Sequence, residues 1–213
     1  MNVLRFSPVY DSLQQLEGTW QEINGMRVIY SLPDYEVNAA RLGIVDLSFL
    51  PRFGVKGAGA ASWLTTQSIP IPDRPNSWNA LAEGGIIARL GMSEFLIEDS
   101  AIAPQLTKAC KSPPAKVYPV LRQDLAIALI GSQVNELLLQ TCSFNFRALS
   151  IAEHPVILTS IAGVNVTVIP KVCHGQPFYK VWCDVTFGAY LWETLSGIAI
   201  ELGGGAIGVG TLL

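Results

Sequence analysis

The chain is poor in charge. Only 15% of its 213 residues are Asp, Glu, Lys or Arg, against about 25% in an average soluble domain. The net charge is −3 and the cations form no stripe, which excludes an electrostatic surface for nucleic acid. With a mean hydropathy of +0.36, the excess apolar surface either fills an unusually full core or is covered by another subunit.

Motifs for metal binding and thiol redox chemistry are also missing. The four cysteines, Cys110, Cys142, Cys173 and Cys183, form no Cys-x-x-Cys pair and fall in different predicted elements. We interpret them as the free, buried thiols of a cytosolic protein. Only Cys173 has a histidine beside it, His174, and adjacent positions on a strand do not chelate one ion. We therefore predict no metal site.

Long apolar runs are absent as well. The first residues lack an apolar run followed by a small-residue cleavage site, as a signal peptide would have. Residues 187–213 approach membrane-like hydropathy, but Glu193, Glu201 and the three glycines at 203–205 interrupt them. We expect a cytoplasmic protein without a membrane span, and we expect the glycine-rich residues 203–210 to form a flexible tail.

The sequence does contain a short pattern that occurs twice, an apolar strand that ends at a glycine and is followed by a helix. Residues 53–57 read Phe-Gly-Val-Lys-Gly and precede a stretch of helical character at 58–67. Residues 128–131 read Ala-Leu-Ile-Gly and precede an amphipathic helix at 132–142. In both halves further strand-like segments and a closing helix follow. This pattern predicts an α+β fold of two β-α-β-β-α units with mixed or antiparallel sheets.

The remaining elements follow from β-branched segments, turn glycines and helical spacing. We predict hairpins at 86–90 with 94–98 and at 156–161 with 164–169, a strand at 178–185, closing helices at 103–111 and 189–202, and a helix ending before Gly43.

Domain boundaries are indicated by one proline-rich hinge. Residues 112–114 read Ser-Pro-Pro and separate the two halves. We predict an N-terminal extension at 1–39, a first lobe at 40–112 and a second lobe at 113–213, which together form one compact, pseudo-repeated domain. The length suits such an arrangement.

No catalytic constellation is visible. The serines lack the Gly-x-Ser-x-Gly turn of an activated nucleophile, and His154 and His174 each stand without a partner for acid–base chemistry. Arg122 and Asp124 are candidates for a polar clamp at a strand start. They suit an ion pair, within the chain or with another subunit, better than a contact to substrate.

Aromatic residues are the other candidates for contact. Trp182, Tyr190 and Trp192 lie in the last predicted strand and helix. Large aromatic side chains fill cores and also anchor interfaces, and both interpretations stay open here.

Several segments resemble one protein superfamily. Residues 41–48 (Arg-Leu-Gly-Ile-Val-Asp-Leu-Ser) and then 53–57 resemble the opening of the glycine-cleavage T-protein superfamily. Residues 119–124 (Pro-Val-Leu-Arg-Gln-Asp) and 189–193 (Ala-Tyr-Leu-Trp-Glu) are similar to the gamma subunit of heterotetrameric sarcosine oxidase. That subunit is a truncated relative of the folate-binding T-protein fold. The resemblance covers about residues 40–202.

The chain departs from the catalytic members of that superfamily at an important position. In catalytic T-proteins a Gly-Gly-hydrophobic segment leads into an aspartate that contacts the folate amine. Here Gly84 and Gly85 lead into Ala88 and Arg89, with no acid at that place. The carboxylates at 94, 98 and 99 lie beyond the strand. The resemblance therefore implies a chain with no catalytic residue of its own.

The resemblance implies a non-catalytic structural subunit of a heteromeric, flavin-dependent oxidase of sarcosine or another N-methyl amino acid. Larger partner subunits would carry the flavins, NAD and tetrahydrofolate, and this chain alone would bind no cofactor. The alternative is a stand-alone folate- or pterin-binding protein that holds tetrahydrofolate itself. Self-association is the alternative to a heteromeric partner, and a plain interaction scaffold stays open.

Overall fold

The computed structural model describes residues 5–173 and 175–212, apart from the side chain of Glu83, so the candidate His174 lies outside it. The α+β prediction is confirmed. The strands are β1 (Thr19–Ile23), β2 (Met26–Ser31), β3 (Gly43–Asp46), β4 (Arg52–Lys56), β5 (Ser77–Ala80), β6 (Ile86–Arg89), β7 (Glu94–Glu98), β8 (Tyr118–Val120), β9 (Leu125–Ile130), β10 (Ile157–Ile161), β11 (Val164–Cys173), β12 (Gln176–Cys183) and β13 (Gly205–Ala206). The helices are α1 (Tyr10–Leu13), α2 (Tyr35–Leu42), α3 (Ala60–Thr66), α4 (Ile102–Ala109), α5 (Val134–Thr141) and α6 (Gly188–Glu201).

The chain folds into two compact units that each draw on several segments. Unit 1 comprises the described residues up to 49, residues 124–151, and those from 158 onward. Unit 2 comprises residues 50–123 and 152–157. The sequence-based lobes, in contrast, are contiguous stretches of chain.

Unit 2 contains a five-stranded antiparallel sheet in the order β5-β6-β7-β4-β8. Alternation along β4 directs Phe53 and Val55 to one face, where they form a core with Trp63 and Leu64 of α3 and Leu106 of α4. The same alternation directs the remaining residues of β4 to the opposite face. The two helices therefore mark the face that holds the apolar core.

Unit 1 contains a six-stranded sheet in the order β10-β11-β12-β9-β3-β13, with a separate β1-β2 hairpin. β9 is buried along its whole length, as expected for a central strand. Tyr179 of β12 donates a hydrogen bond to Asn135 of α5 (2.8 Å), which identifies the face that this helix covers. The neighbouring residues Lys180 and Trp182 alternate, so both point to the opposite face.

The two sheets repeat one topology. β4-α3-β5-β6-β7-α4 and β9-α5-β10-β11-β12-α6 have the same element order, and their strands lie in the same spatial order. The leading strands are exchanged. β3 precedes β4 in the chain but pairs with β9, and β8 precedes β9 but pairs with β4. Local sequence marks where a strand begins but not which sheet it joins, which is why the compact units differ from contiguous lobes.

Three local predictions differ from the structure. β5 was not expected after the proline-rich loop. The helix predicted to end before Gly43 is confirmed as α2, but Gly43 has extended backbone (φ −93°) and begins β3, so it does not occupy the expected C′ position of a helix terminator. The expectation of a flexible tail is wrong, because β13 pairs in parallel with β3 and both Ile207 and Val209 are buried. Such long-range pairing leaves no signal in a short glycine-rich segment.

In unit 2 a glycine permits the turn from β4 into α3. Gly57 has φ +118°, and a Cβ there would collide with the carbonyl oxygen of Lys116. That carbonyl accepts a hydrogen bond from the backbone N–H of Gly59 (3.0 Å), just before α3. The chain entering β8 thus satisfies a donor at the start of the helix.

Unit 1 uses the same device at Gly131. Its φ is +116°, and a Cβ there would lie 2.6 Å from the carbonyl oxygen of Arg41. That carbonyl accepts from the N–H of Gln133 (2.8 Å), just before α5. The repeated glycine pattern in the sequence therefore corresponds to a strand-to-helix turn of the same kind in both repeats.

We expect Gly57→Ala and Gly131→Ala each to lower the free energy of unfolding by about 2 kcal/mol or more, because an L side chain strains the backbone and displaces the carbonyl. Gly197→Ala in the middle of α6 is the control, since a Cβ there meets no described atom within 4 Å apart from the adjacent backbone of the same helix. The control should stabilise the protein by about 0.5–1 kcal/mol. Urea unfolding checks all three, and a neutral effect at Gly57 or Gly131 would contradict this account.

Candidate functional site

The candidate site is the polar face of the unit 2 sheet, opposite α3 and α4. The pairing of β4 with β7 sets Arg52 opposite Glu98, Gly54 opposite Leu96 and Lys56 opposite Glu94. Paired residues of neighbouring strands project to the same side, so this face carries two cations and two carboxylates around a glycine.

A buried ion pair lies at one end of this face. Nη1 of Arg52 donates to Oε2 of Glu98 at 3.2 Å, and the two side chains are only 2% and 1% exposed. Charges removed from water need close partners to offset the loss of hydration. The pair therefore joins β4 to β7.

A second ion pair crosses β4. Nη2 of Arg122 donates to Oε1 of Glu94 at 2.6 Å, with the two side chains 17% and 39% exposed. The side chain of Arg122 lies over Gly54, where a Cβ would come within 2.9 Å of the arginine Cγ and Nε and 2.8 Å of the carbonyl oxygen of Val120. The absence of a side chain at Gly54 makes room for this pair.

Asp124, the other half of the predicted clamp, belongs to unit 1. It directly precedes β9, whose first residue, Leu125, pairs with Cys183. Burial raises the pKa of the Cys183 thiol to about 12, with the charges of Asp124 and Asp184 as further causes. Arg122 thus takes part in an ion pair within the chain, with Glu94 as one partner, and the clamp of Arg122 with Asp124 stays a prediction.

The carboxylate that follows β7 serves the fold. Oδ1 of Asp99 accepts hydrogen bonds from the backbone N–H groups of Ala101 (2.8 Å) and Ile102 (2.6 Å), at the start of α4. A Cβ at Gly85 would collide with the other carboxylate oxygen of Asp99. The Gly-Gly segment therefore packs against an acid, but this acid caps a helix.

Unit 1 contains one buried cation that the sequence analysis missed. Lys180 is buried in β12, where it pairs with Ala128 of β9 and Ile169 of β11. It lies on the face opposite α5. A lysine inside an apolar strand was the available signal, since lysine is rarely buried without a partner.

The three aromatic candidates differ in how far they are exposed to solvent. Trp182 and Trp192 are core residues, 2% and 4% exposed. Tyr190 is 54% exposed, and its hydroxyl donates to the carbonyl oxygen of Ala162 at 3.1 Å. Of the three, only Tyr190 offers its ring to a partner. The proposed partner contacts stay a prediction.

Other reactive groups are dispersed. Within residues 5–173 and 175–212, no three His, Cys, Asp or Glu side chains gather in a way that could hold a metal ion. His154 stacks on Trp78 with ring centroids 4.3 Å apart, and its carbonyl accepts from the Trp78 backbone N–H (2.9 Å). In the same described part of the chain, no helix is both long and apolar enough for a transmembrane segment.

The fold of this chain is similar to that of a solved aminomethyltransferase structure. No family model and no curated protein matches this sequence. The glycine cleavage system aminomethyltransferase T from Bartonella henselae is similar in structure, with a TM-score of 0.76 and 15% sequence identity. The alignment covers 98% of this chain but 60% of that one, so the chain spans less than two thirds of the length of the aminomethyltransferase.

A second solved structure is similar at nearly full length on both sides. It is the heterotetrameric sarcosine oxidase from Corynebacterium sp. U-96 in complex with pyrrole 2-carboxylate, with a TM-score of 0.67 and 16% identity. The alignment covers 93% of this chain and 96% of the matched chain. The resemblance inferred from the sequence motifs is confirmed as a likeness of fold.

We expect Arg52→Met to lower the free energy of unfolding by about 3–5 kcal/mol, because it leaves the Glu98 carboxylate buried without this cation. The double variant Arg52→Met/Glu98→Leu should recover part of that loss. Arg147→Met, which breaks the exposed pair of Arg147 with Glu136 (3.4 Å), should cost less than about 1 kcal/mol. Urea unfolding followed by fluorescence and circular dichroism measures all three. Equal costs for both single changes would contradict the assignment.

The raised pKa of Cys183 predicts a loss of stability in alkali. The folded state holds the thiol proton up to about pH 12, whereas the unfolded chain releases it near its ordinary pKa of about 8.5–9. The stabilising effect is thus fully present below about pH 8.5 and lost as the pH rises toward 12, by up to about 1.4 kcal/mol per pH unit. Urea unfolding from pH 8 to 11 should show a shallower decline for Cys183→Ala. Identical slopes would contradict the pKa assignment.

Proposed function

We propose that this chain is a non-catalytic structural subunit of a heteromeric, flavin-dependent oxidase that acts on sarcosine or another N-methyl amino acid. The observation that carries the proposal is the match of fold to a sarcosine oxidase chain of almost the same length. The aminomethyltransferase, in contrast, extends well beyond this fold. The agreement in length with the sarcosine oxidase chain therefore favours the role of an oxidase subunit over that of an aminomethyltransferase.

The chemistry of the polar face supports a structural role. In unit 2 Glu98 is paired with Arg52, Glu94 with Arg122, and Asp99 caps α4. Each of these carboxylates, which follow the strand that lacks the family's acid, forms an ion pair or caps a helix. Larger partner subunits would therefore carry the flavins, NAD and tetrahydrofolate, and would perform the oxidation and the one-carbon transfer.

The composition supports association with those subunits. Large apolar side chains with exposed surface include Tyr118, Leu121, Leu139, Tyr190 and Ile200. Together with the low charge content, such surface is typical of a chain that is partly covered in an assembly.

One alternative has an observation in its favour. The likeness to the aminomethyltransferase spans 98% of this chain at the higher TM-score, which fits a stand-alone folate- or pterin-binding protein. In that case the chain itself would hold tetrahydrofolate.

Purification of the tagged, full-length chain from its native host tests the proposal. We expect an assembly with larger subunits, flavin absorbance near 450 nm and peroxide production that depends on sarcosine or another N-methyl amino acid. Peroxide production should be absent from the isolated chain. A monodisperse monomer, without flavin and without larger partners, would contradict the subunit role.

Calorimetric titration of the isolated chain with tetrahydrofolate distinguishes the subunit proposal from the stand-alone folate-binding protein. The subunit proposal predicts no saturable heat at micromolar concentrations. Micromolar binding would favour the stand-alone folate-binding protein. The heat-unfolded chain serves as the control for nonspecific heats.

A further inference from the structure

The outer face of α6 is the surface with the most consistent signs of a missing partner. At 100° per residue, Tyr190, Glu193, Gly197, Ile200 and Glu201 lie within an arc of about 100°. Tyr190 and Ile200 are 54% and 68% exposed, and the other three are exposed as well. We call these five residues the outer face of α6.

Gly197 sits at the centre of this face. Glycine in the middle of a helix lowers its stability by about 1 kcal/mol relative to alanine. Apart from its chain neighbours and the adjacent backbone of the same helix, no described atom comes within 4 Å of a Cβ built at this position, and its φ is not positive. Packing within the described chain therefore does not explain the glycine, whereas close approach of another backbone or side chain would.

Apolar surface continues beyond the helix. Val185 and Phe187 precede α6 and are exposed. The ring of Tyr190 is held in place by the hydrogen bond from its hydroxyl to Ala162. A fixed aromatic ring about two helical turns before the glycine is a preorganised contact group, which binds at a lower entropic cost than a mobile side chain.

The charge of this surface has one sign. Between residues 184 and 201 the chain contains Asp184, Glu193 and Glu201 but no Lys, Arg or His. Arg41 approaches the end of α6 and donates through Nε to the carbonyl oxygen of Leu202 (2.9 Å). The centre of the outer face remains acidic around Glu193.

We propose that the outer face of α6 docks a basic, amphipathic helix of a different chain. An apolar side chain of that helix lies over Gly197, between Tyr190 and Ile200, and its Lys or Arg residues face Glu193 and Glu201. The assignment of this helix to a larger oxidase subunit rests on the proposed function. The docking of a basic helix is inferred only from the exposed apolar side chains, Gly197 and the two glutamates of the outer face of α6.

A second copy of the chain does not fit this surface. Two α6 helices that cross antiparallel at Gly197 would place Glu193 of each copy near Glu201 of the other. Such like-charge contacts at a two-fold interface disfavour association. Charge complementarity therefore selects a basic partner.

The complex purified from the native host provides the test. We expect Gly197→Leu, and separately Glu193→Lys with Glu201→Lys, to weaken the assembly at least about tenfold in dilution experiments. Gly197→Leu keeps good helix propensity in open space, so its melting temperature should not fall. Glu17→Lys with Glu153→Lys makes the same charge change on exposed residues elsewhere and should assemble like wild type.

A photo-crosslinking amino acid at Ile200 then identifies the contact. Loss of assembly in both variants, with a crosslink to a basic helical segment of a partner, supports the proposal. Full assembly of both variants contradicts the proposed docking at the outer face of α6 but does not contradict the subunit role. A wild-type chain without any partner overturns both. A homodimer of the isolated chain that Gly197→Leu dissociates overturns it in favour of a second copy.

Discussion

Two backbone carbonyls determine how the rest of the chain is arranged. The carbonyls of Arg41 and Lys116 each accept an N–H at the start of a helix, and each lies where only a glycine, Gly131 or Gly57, leaves room. Immediately after each carbonyl the chain enters β3 or β8, which completes the sheet of the other repeat. Neither repeat can complete its sheet from its own consecutive residues. Folding of the two repeats is therefore expected to be coupled, because the pairing of both sheets closes long loops.

The same arrangement explains where the charges lie. One face of each sheet packs against helices and is apolar, and alternation sends the remaining side chains to the opposite face. There the chain places Arg52 with Glu98 in one sheet and Lys180 in the other. A buried pair costs hydration free energy and adds little net stability compared with apolar packing, but it penalises any register in which the partners separate. The two carboxylates of β7 fit the proposed structural function, because each forms an ion pair with an arginine within the same sheet unit.

Much of this fold could be predicted from the sequence, since apolar periodicity and turn glycines are local signals. The hairpin of β6 and β7 and the closing helix α6 lie close to their expected bounds. Pairing partners could not be predicted in the same way. Arg122 bonds Glu94, 28 residues away, because strand order brings β7 next to β4 and Gly54 leaves space above it. The glycine inside an apolar strand was the signal for that crossing, but its meaning depends on the neighbouring strands.

The helix α6 shows both what local sequence periodicity predicts and what it leaves open. Tyr190 and Trp192 are two residues apart, which turns them about 200° from each other around a helix axis, so one is exposed and the other buried. The buried side, including Leu191 and Leu195, accounts for the stability of the helix. The opposite side weakens it through Gly197 while exposing apolar surface. A glycine that lowers helix stability, and against which no described side chain packs, fits the proposed docking of another chain, and Glu193 and Glu201 favour a basic partner.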